Sequence, residues 1–129
     1  MELTFYQKNP FKVYKCEAPA AEITVDNQEV INHFREMNVI RLLEHQCKKA
    51  YQTKLIQGFL HLYDGQEGVC VGMEAALVRD DHVITAYREH GWAYTRGCTP
   101  RAIFGELMGK ANGTSKVSFL LILIAINFF

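Results

Sequence analysis

Neither sign of charge is in excess in this chain: fourteen Lys and Arg residues face fourteen Asp and Glu. That balance gives no support to a nucleic-acid surface or to an acidic partner. Cys-x-x-Cys pairs are missing too. The four cysteines, Cys16, Cys47, Cys70 and Cys98, lie far apart. Metal ligation and a disulfide framework are therefore poorly supported, and reduced thiols in an intracellular compartment fit better. No Ser-His-Asp triad, zinc motif or phosphate-binding P-loop can be assembled. The longest apolar run, Val117 to Phe129, is interrupted only by Ser118 and Asn127. It falls short of the roughly 20 residues that a spanning helix needs, so it is not expected to cross a membrane, and a membrane surface stands only as an alternative partner. Internal repeats and low-complexity linkers are also lacking, and 129 residues make at most one domain.

What is present reads as a helix-rich α/β chain. Residues up to about Val25 look extended, with Pro10 and Pro19 discouraging helix. Asp26 followed by Glu29 is a capping box that opens a long helix to about Gln57. On it Phe34, Met37, Ile40, Leu43, Cys47, Ala50 and Tyr51 recur at three- and four-residue steps, the stripe of a packed helix. Gly58 serves as its stop signal. Towards the other end, Thr99 caps a helix with Pro100 at its first position, and Gly109 ends it. His33 and His45 lie twelve apart, which is not ligand spacing, and His82 sits in a charged, solvated turn. Asn112-Gly-Thr114 matches a glycosylation sequon that reads as idle, since no signal peptide accompanies it.

The stretch Gly58–Gly91, GFLHLYDGQEGVCVGMEAALVRDDHVITAYREHG, carries the functional signal. Its polar groups stand at the joints of apolar structure. Asp64 with Glu67 reads as a second capping box. The helix it opens carries Val69, Cys70, Val71, Met73, Ala75, Ala76 and Leu77, with Gly68 and Gly72 among them. Such a helix is expected to be buried on most sides. After the charged turn Arg79-Asp80-Asp81 comes a short strand, Val83 to Ala86, which empties into Tyr87-Arg88. Arg offers a planar fork of donors that suits phosphate oxygens, and the Tyr hydroxyl adds a neutral donor. On residue chemistry alone, a histidine placed like His61 is more often a satisfied loop histidine than a catalytic one. For Arg88 an ion pair with Glu89 or Asp64 is a commoner arrangement than an anion site, and Glu67 reads as a cap rather than an acid catalyst.

GFLHLYDGQEGVCVGMEAAL, DHVITAYREHGWAYTRG and PRAIFGELMGK resemble the α subunits of mitochondrial pyruvate dehydrogenases. These belong to the thiamine-diphosphate-dependent decarboxylase component of the 2-oxo acid dehydrogenase complexes. The resemblance runs from about Phe11 to Lys116, and the pyruvate form fits better than the branched-chain form. It implies the N-terminal part of a thiamine-diphosphate-binding fold. It also implies oxidative decarboxylation of pyruvate to acetyl-CoA, the two-carbon fragment passing to a lipoyl group on the acyltransferase core. Thiamine diphosphate and magnesium are the implied cofactors, held between α and β subunits of a heterotetramer in the mitochondrial matrix. Position by position, His61 matches a histidine near the substrate. Tyr87 and Arg88 match a pair on the cofactor diphosphate, and His90 matches a histidine of the same active-site loop.

The departure from that pattern is at the end. The family continues past Lys116 with a glycine-rich segment and a GDG…NN motif that holds magnesium and the diphosphate. No Gly-Asp-Gly occurs in this chain. The expectation is an extended segment over residues 1–25, part of the dehydrogenase domain over 26–116, and an apolar divergent tail over 117–129. The tail admits a buried strand, a membrane-surface anchor or the end of a truncated product, the last being the plainest. It is also an aggregation hazard. A truncated chain is expected to be inactive alone, and the alternative is a non-catalytic chain that binds the β subunit or a membrane surface. The N-terminus lacks the Arg- and Ser-rich pattern of a presequence.

Overall fold

The computed structural model describes residues 2–114 and 123–126. Their element order is β1 (Glu2–Tyr6), β2 (Glu22–Asp26), α1 (Asn27–Gln52), α2 (Glu67–Glu74), β3 (Val83–Ala86), α3 (His90–Thr95), α4 (Pro100–Leu107) and β4 (Leu123–Ile126). Two compact units are present, Met1–Phe34 and Arg35–Phe129.

In the first unit β1 and β2 pair antiparallel, with Glu2 opposite Asp26 and Tyr6 opposite Glu22. Thr4 and Thr24 meet across the ladder at 3.1 Å, a pairing that suits a half-solvated ribbon. Phe5, Tyr6 and Ile23 remain exposed. The extended N-terminal segment is thus a hairpin.

α1 opens where the sequence signals it. The Asp26 carboxylate accepts the Gln28 backbone N–H at 2.9 Å, satisfying one orphan donor of the first turn. The helix closes five residues before the expected end. Lys54 takes the left-handed conformation at φ +61, while the N–H groups of Lys54 and Leu55 bond the carbonyls of Tyr51 and Ala50. This is a Schellman closure formed without glycine, and Gly58 lies beyond it. The buried stripe is Ile40, Leu43, Glu44, Cys47 and Ala50, whereas Phe34 is 63% and Tyr51 40% exposed. The stripe is narrower than the periodicity suggested, and it contains a carboxylate.

Two clusters form against that stripe. One joins Leu43, Cys47 and Ala50 to Ile56, Ala93 and Ile103. The other joins Ile40 to Tyr63, Cys70, Val71 and Trp92. Each buried Leu or Ile contributes about 1.5–3 kcal/mol. α3 supplies residues to both clusters, although the sequence did not single it out as a helix. It comes close because Gly91 lacks a side chain: a Cβ there would lie 2.6 Å from the Tyr63 ring.

α2 departs from expectation in two ways. Its N-cap is Gln66 and no side chain caps it, so Asp64 does not act as a capping-box residue. Only Glu67, Cys70 and Val71 are buried, and the helix is not enclosed on most sides. α4 follows the sequence reading closely. Thr99 Oγ1 accepts from the Ala102 N–H at 3.2 Å, Pro100 sits in the first turn, and Gly109 at φ +64 closes the end. β3 occupies the expected residues and is not alone, since β4 pairs with it antiparallel, Val83 opposite Ile126 and Ala86 opposite Leu123. Part of the apolar tail therefore forms strand; the rest lies outside the described residues. Among the described residues no helix is long and apolar enough to cross a membrane.

Candidate functional site

Two segments far apart in sequence build the site: the loop after α1 and the corner between β3 and α3. The loop is set by Glu67. Both carboxylate oxygens accept the Gly65 N–H, at 3.1 and 3.0 Å, and Gly65 itself takes φ +88. From α1, the Arg41 guanidinium grips the same carboxylate in a two-pronged pair, with Nη2 to Oε2 at 2.8 Å. This geometry is the strong form of the ion pair. The Arg41 hydrogen bond, helped by backbone N–H groups against the opposing effect of burial, holds the Glu67 carboxyl down at about 2. Its stabilising contribution is present above the ordinary value of 4.5 and is lost as pH falls towards 2. Glu67 is thus a clamp on the loop.

The corner is set from below by Arg96, which is buried. Its guanidinium donates to the carbonyls of Val78, Arg79 and Asp81 and pairs with Glu74 Oε1 at 3.0 Å. These bonds fix the charged turn that leads into β3. At the strand's end Tyr87 has φ +32, a region that side-chain-bearing residues seldom occupy and that costs of order 1–3 kcal/mol. Arg88 Nη1 donates to the Leu62 carbonyl. The corner is thereby tied to the loop.

His61, Tyr87 and Arg88 come together as a result. The His61 and Tyr87 rings meet edge to face, with centroids 4.9 Å apart and planes at 67°. The Arg88 guanidinium carbon lies 5.5 Å from the centre of the Tyr87 ring, within cation–π range. Tyr87 is 60% exposed and His61 is exposed, so the group faces solvent. Among the described residues Arg88 pairs with neither of the carboxylates suggested as its alternative partners, Glu89 and Asp64; its side-chain hydrogen bond goes to the Leu62 carbonyl.

His90 is placed differently. Expected on the same loop, it begins α3 and is 3% exposed. Its Nδ1 lies 2.7 Å from Oε1 of Glu44, which is fully buried, and its Nε2 lies 3.8 Å from Glu89 Oε1. Burial opposes the imidazolium, but the hydrogen bond and charge of Glu44, with Glu89 behind them, raise the pKa above its ordinary value. One oxygen each of Glu44 and Glu89 has no hydrogen-bond partner among the described residues. Sequence reasoning missed Glu44 and Arg41. The signal for Glu44 was available: it is the one acid on the stripe of Ile40, Leu43 and Cys47.

Three of the four thiols belong to the core. Cys47, Cys70 and Cys98 are buried and unbridged, and burial, with the nearby Glu44 carboxylate, pushes the Cys47 thiol up to about 12. They are inert core groups. Among the described residues no three His, Cys, Asp or Glu side chains converge on a metal position.

Residues 35–125 match the family described as the dehydrogenase E1 component. The chain belongs to this family. Among its relatives, the mitochondrial pyruvate dehydrogenase E1 component subunit alpha of Dictyostelium discoideum is 47% identical over 112 residues, covering 84% of this chain and 30% of that protein. The corresponding subunit of Schizosaccharomyces pombe is 48% identical over 106 residues, covering 82% and 26%. Subunit alpha-1 of Arabidopsis thaliana is 42% identical over 114 residues, covering 88% and 29%. This member of the E1 family thus spans less than a third of the length of these relatives.

Proposed function

We propose that this chain carries part of a pyruvate dehydrogenase α subunit of the mitochondrial matrix, the part that presents His61 to a 2-oxo acid and Tyr87 with Arg88 to a cofactor diphosphate. The observation that carries the reading is the meeting of His61, Tyr87 and Arg88 from two separate segments. The fold would be the N-terminal portion of a thiamine-diphosphate-binding domain, paired with a β subunit in a heterotetramer and serving the lipoyl acyltransferase core.

These residues suit the diphosphate. Arg88 spends one N–H on Leu62, which leaves further donors of its planar fork for phosphoryl oxygens. The Tyr87 hydroxyl, on a largely exposed side chain, adds a neutral donor. They do not suit magnesium: Tyr87 and Arg88 bring no carboxylate, and among the described residues no three His, Cys, Asp or Glu side chains are placed to hold a metal ion. Thiamine diphosphate, when bound, supplies the carbanion chemistry that decarboxylates a 2-oxo acid. The chain's own residues bind and orient: Arg88 neutralises charge, Tyr87 fixes the register of the anion, and His61 offers a ring N–H to the substrate's oxygens. The second reading is a chain that joins a β subunit without turnover.

The test is calorimetric titration of thiamine diphosphate with magnesium into the complex of this chain with its β subunit. Arg88→Ala should weaken binding about ten- to hundredfold, the worth of one hydrogen bond to a charged group. Equal affinities would remove Arg88 from the site. A complex that forms but does not respond to the cofactor would favour the second reading.

A further inference from the structure

We infer that Glu44, acting through His90, is the positioning residue for the Tyr87–Arg88 corner. The inference rests on the reading of that corner as a diphosphate site.

The corner has an unusual mechanical problem. Only Tyr87, Arg88 and Glu89 separate the last paired residue of β3 from the first residue of α3, and Tyr87 holds a positive φ. Such a conformation persists only when both flanks are fixed. On the loop side the fixing group is Arg88 on the Leu62 carbonyl. On the helix side an N-cap would ordinarily do this work, yet Glu89 makes no side-chain capping bond. Packing of Gly91, Trp92 and Ala93 holds the first turn of α3 to the core, and its polar anchor is the bond between His90 Nδ1 and Glu44 Oε1, 2.7 Å long. It reaches across from the middle of α1.

The same bond is an odd choice for stability alone. Glu44 sits at 0% exposure on a stripe otherwise built of Ile40, Leu43, Cys47 and Ala50. Among the described residues its second oxygen has no hydrogen-bond partner, nor has that of Glu89. A buried ion pair of this kind contributes little net stability compared with apolar packing of equal volume. What it does supply is direction. An aliphatic side chain at position 44 would fill the space but would leave the His90 ring free to turn, and the corner with it. Two charges held in one geometry admit one orientation.

The experiment uses the full chain with labelled histidines, of which there are five, and reads imidazole resonances by NMR. The Tyr87 ring, edge to face with His61, displaces the His61 ring signals from those of the exposed His45 and His82. That displacement reports the corner without any ligand. Glu44→Gln keeps the size and one acceptor while removing the charge, and Ile103→Val serves as a control that loosens the packing beside α3 while leaving the Glu44–His90 pair its charges. The charged groups at His90 are Glu44 from α1 and Glu89 from its own turn, and Glu106 from α4 lines the same pocket. In Glu44→Gln, His90 should titrate at lower pH. The His61 signals should move towards those of His45 and His82, and affinity for inorganic pyrophosphate should fall about tenfold. Ile103→Val should leave the His61 signals in place. The inference is overturned if Glu44→Gln shifts the His90 titration yet leaves the His61 signals and pyrophosphate affinity unchanged. If wild type takes up no pyrophosphate, the diphosphate reading fails. The His61 displacement then still decides whether Glu44 holds the corner.

Discussion

α2 and α3 lie against one another and invert the usual relation between composition and burial. α2 is rich in Val, Met and Gly, but Gly68, Val69, Gly72 and Met73 face outward. α3 and its flanks hold Glu89, His90, Thr95 and Arg96, all of them buried. The difference lies in partners. Arg96 and His90 find carboxylates and carbonyls aimed at them, so burial leaves few of their polar atoms unsatisfied. At Gly68 and Gly72 a Cβ would meet nothing within 4 Å. Apolar character makes burial favourable, but only an opposing surface makes it happen.

Substitutions can break or sharpen this contrast. Arg96→Met should produce the largest effect. It removes donors from three carbonyls and strips Glu74 of a partner, for a loss of about 3–5 kcal/mol in urea unfolding. A loss under about 1 kcal/mol would mean that the polar residues around α3 are merely tolerated. Gly91→Ala comes next. Its methyl would fall 2.6 Å from the Tyr63 ring and 2.9 Å from Cys70 Sγ, and overpacking of that kind costs about 1–3 kcal/mol. Gly72→Ala on α2 should be the smallest and of opposite sign. It meets open space in a helix, so the chain should gain about 0.5–1 kcal/mol, read as a raised unfolding midpoint. If the two alanines have the same sign, the contrast between the helices fails.

Much of the framework was legible before the structure. The starts of α1 and α4, the extent of β3 and the stop at Gly109 follow from local chemistry: a carboxylate or hydroxyl cap, a proline in the first turn, a glycine at positive φ. The grouping of Tyr87 with Arg88 was visible because the two are adjacent, and His61 joined them through family resemblance rather than spacing. Long-range choices were not visible. α1 ends at a lysine in the conformation usually left to glycine, and α3 is made of residues that read as loop. The Glu44–His90 bond joins positions forty-six apart, and nothing local to either residue names the other.

The pairing of β3 with β4 has a consequence for the order of events in folding. Ala86 meets Leu123 only across a span that includes α3 and α4. Closing so long a loop costs entropy before any ladder bond returns it, and non-local pairings of this kind form slowly. The intervening helices shorten the effective span once they have docked. Tyr87, next in sequence to the end of that ladder, should therefore reach its final orientation among the last groups in the chain. A nascent chain would present a packed α1–α3 core well before it presents a finished corner.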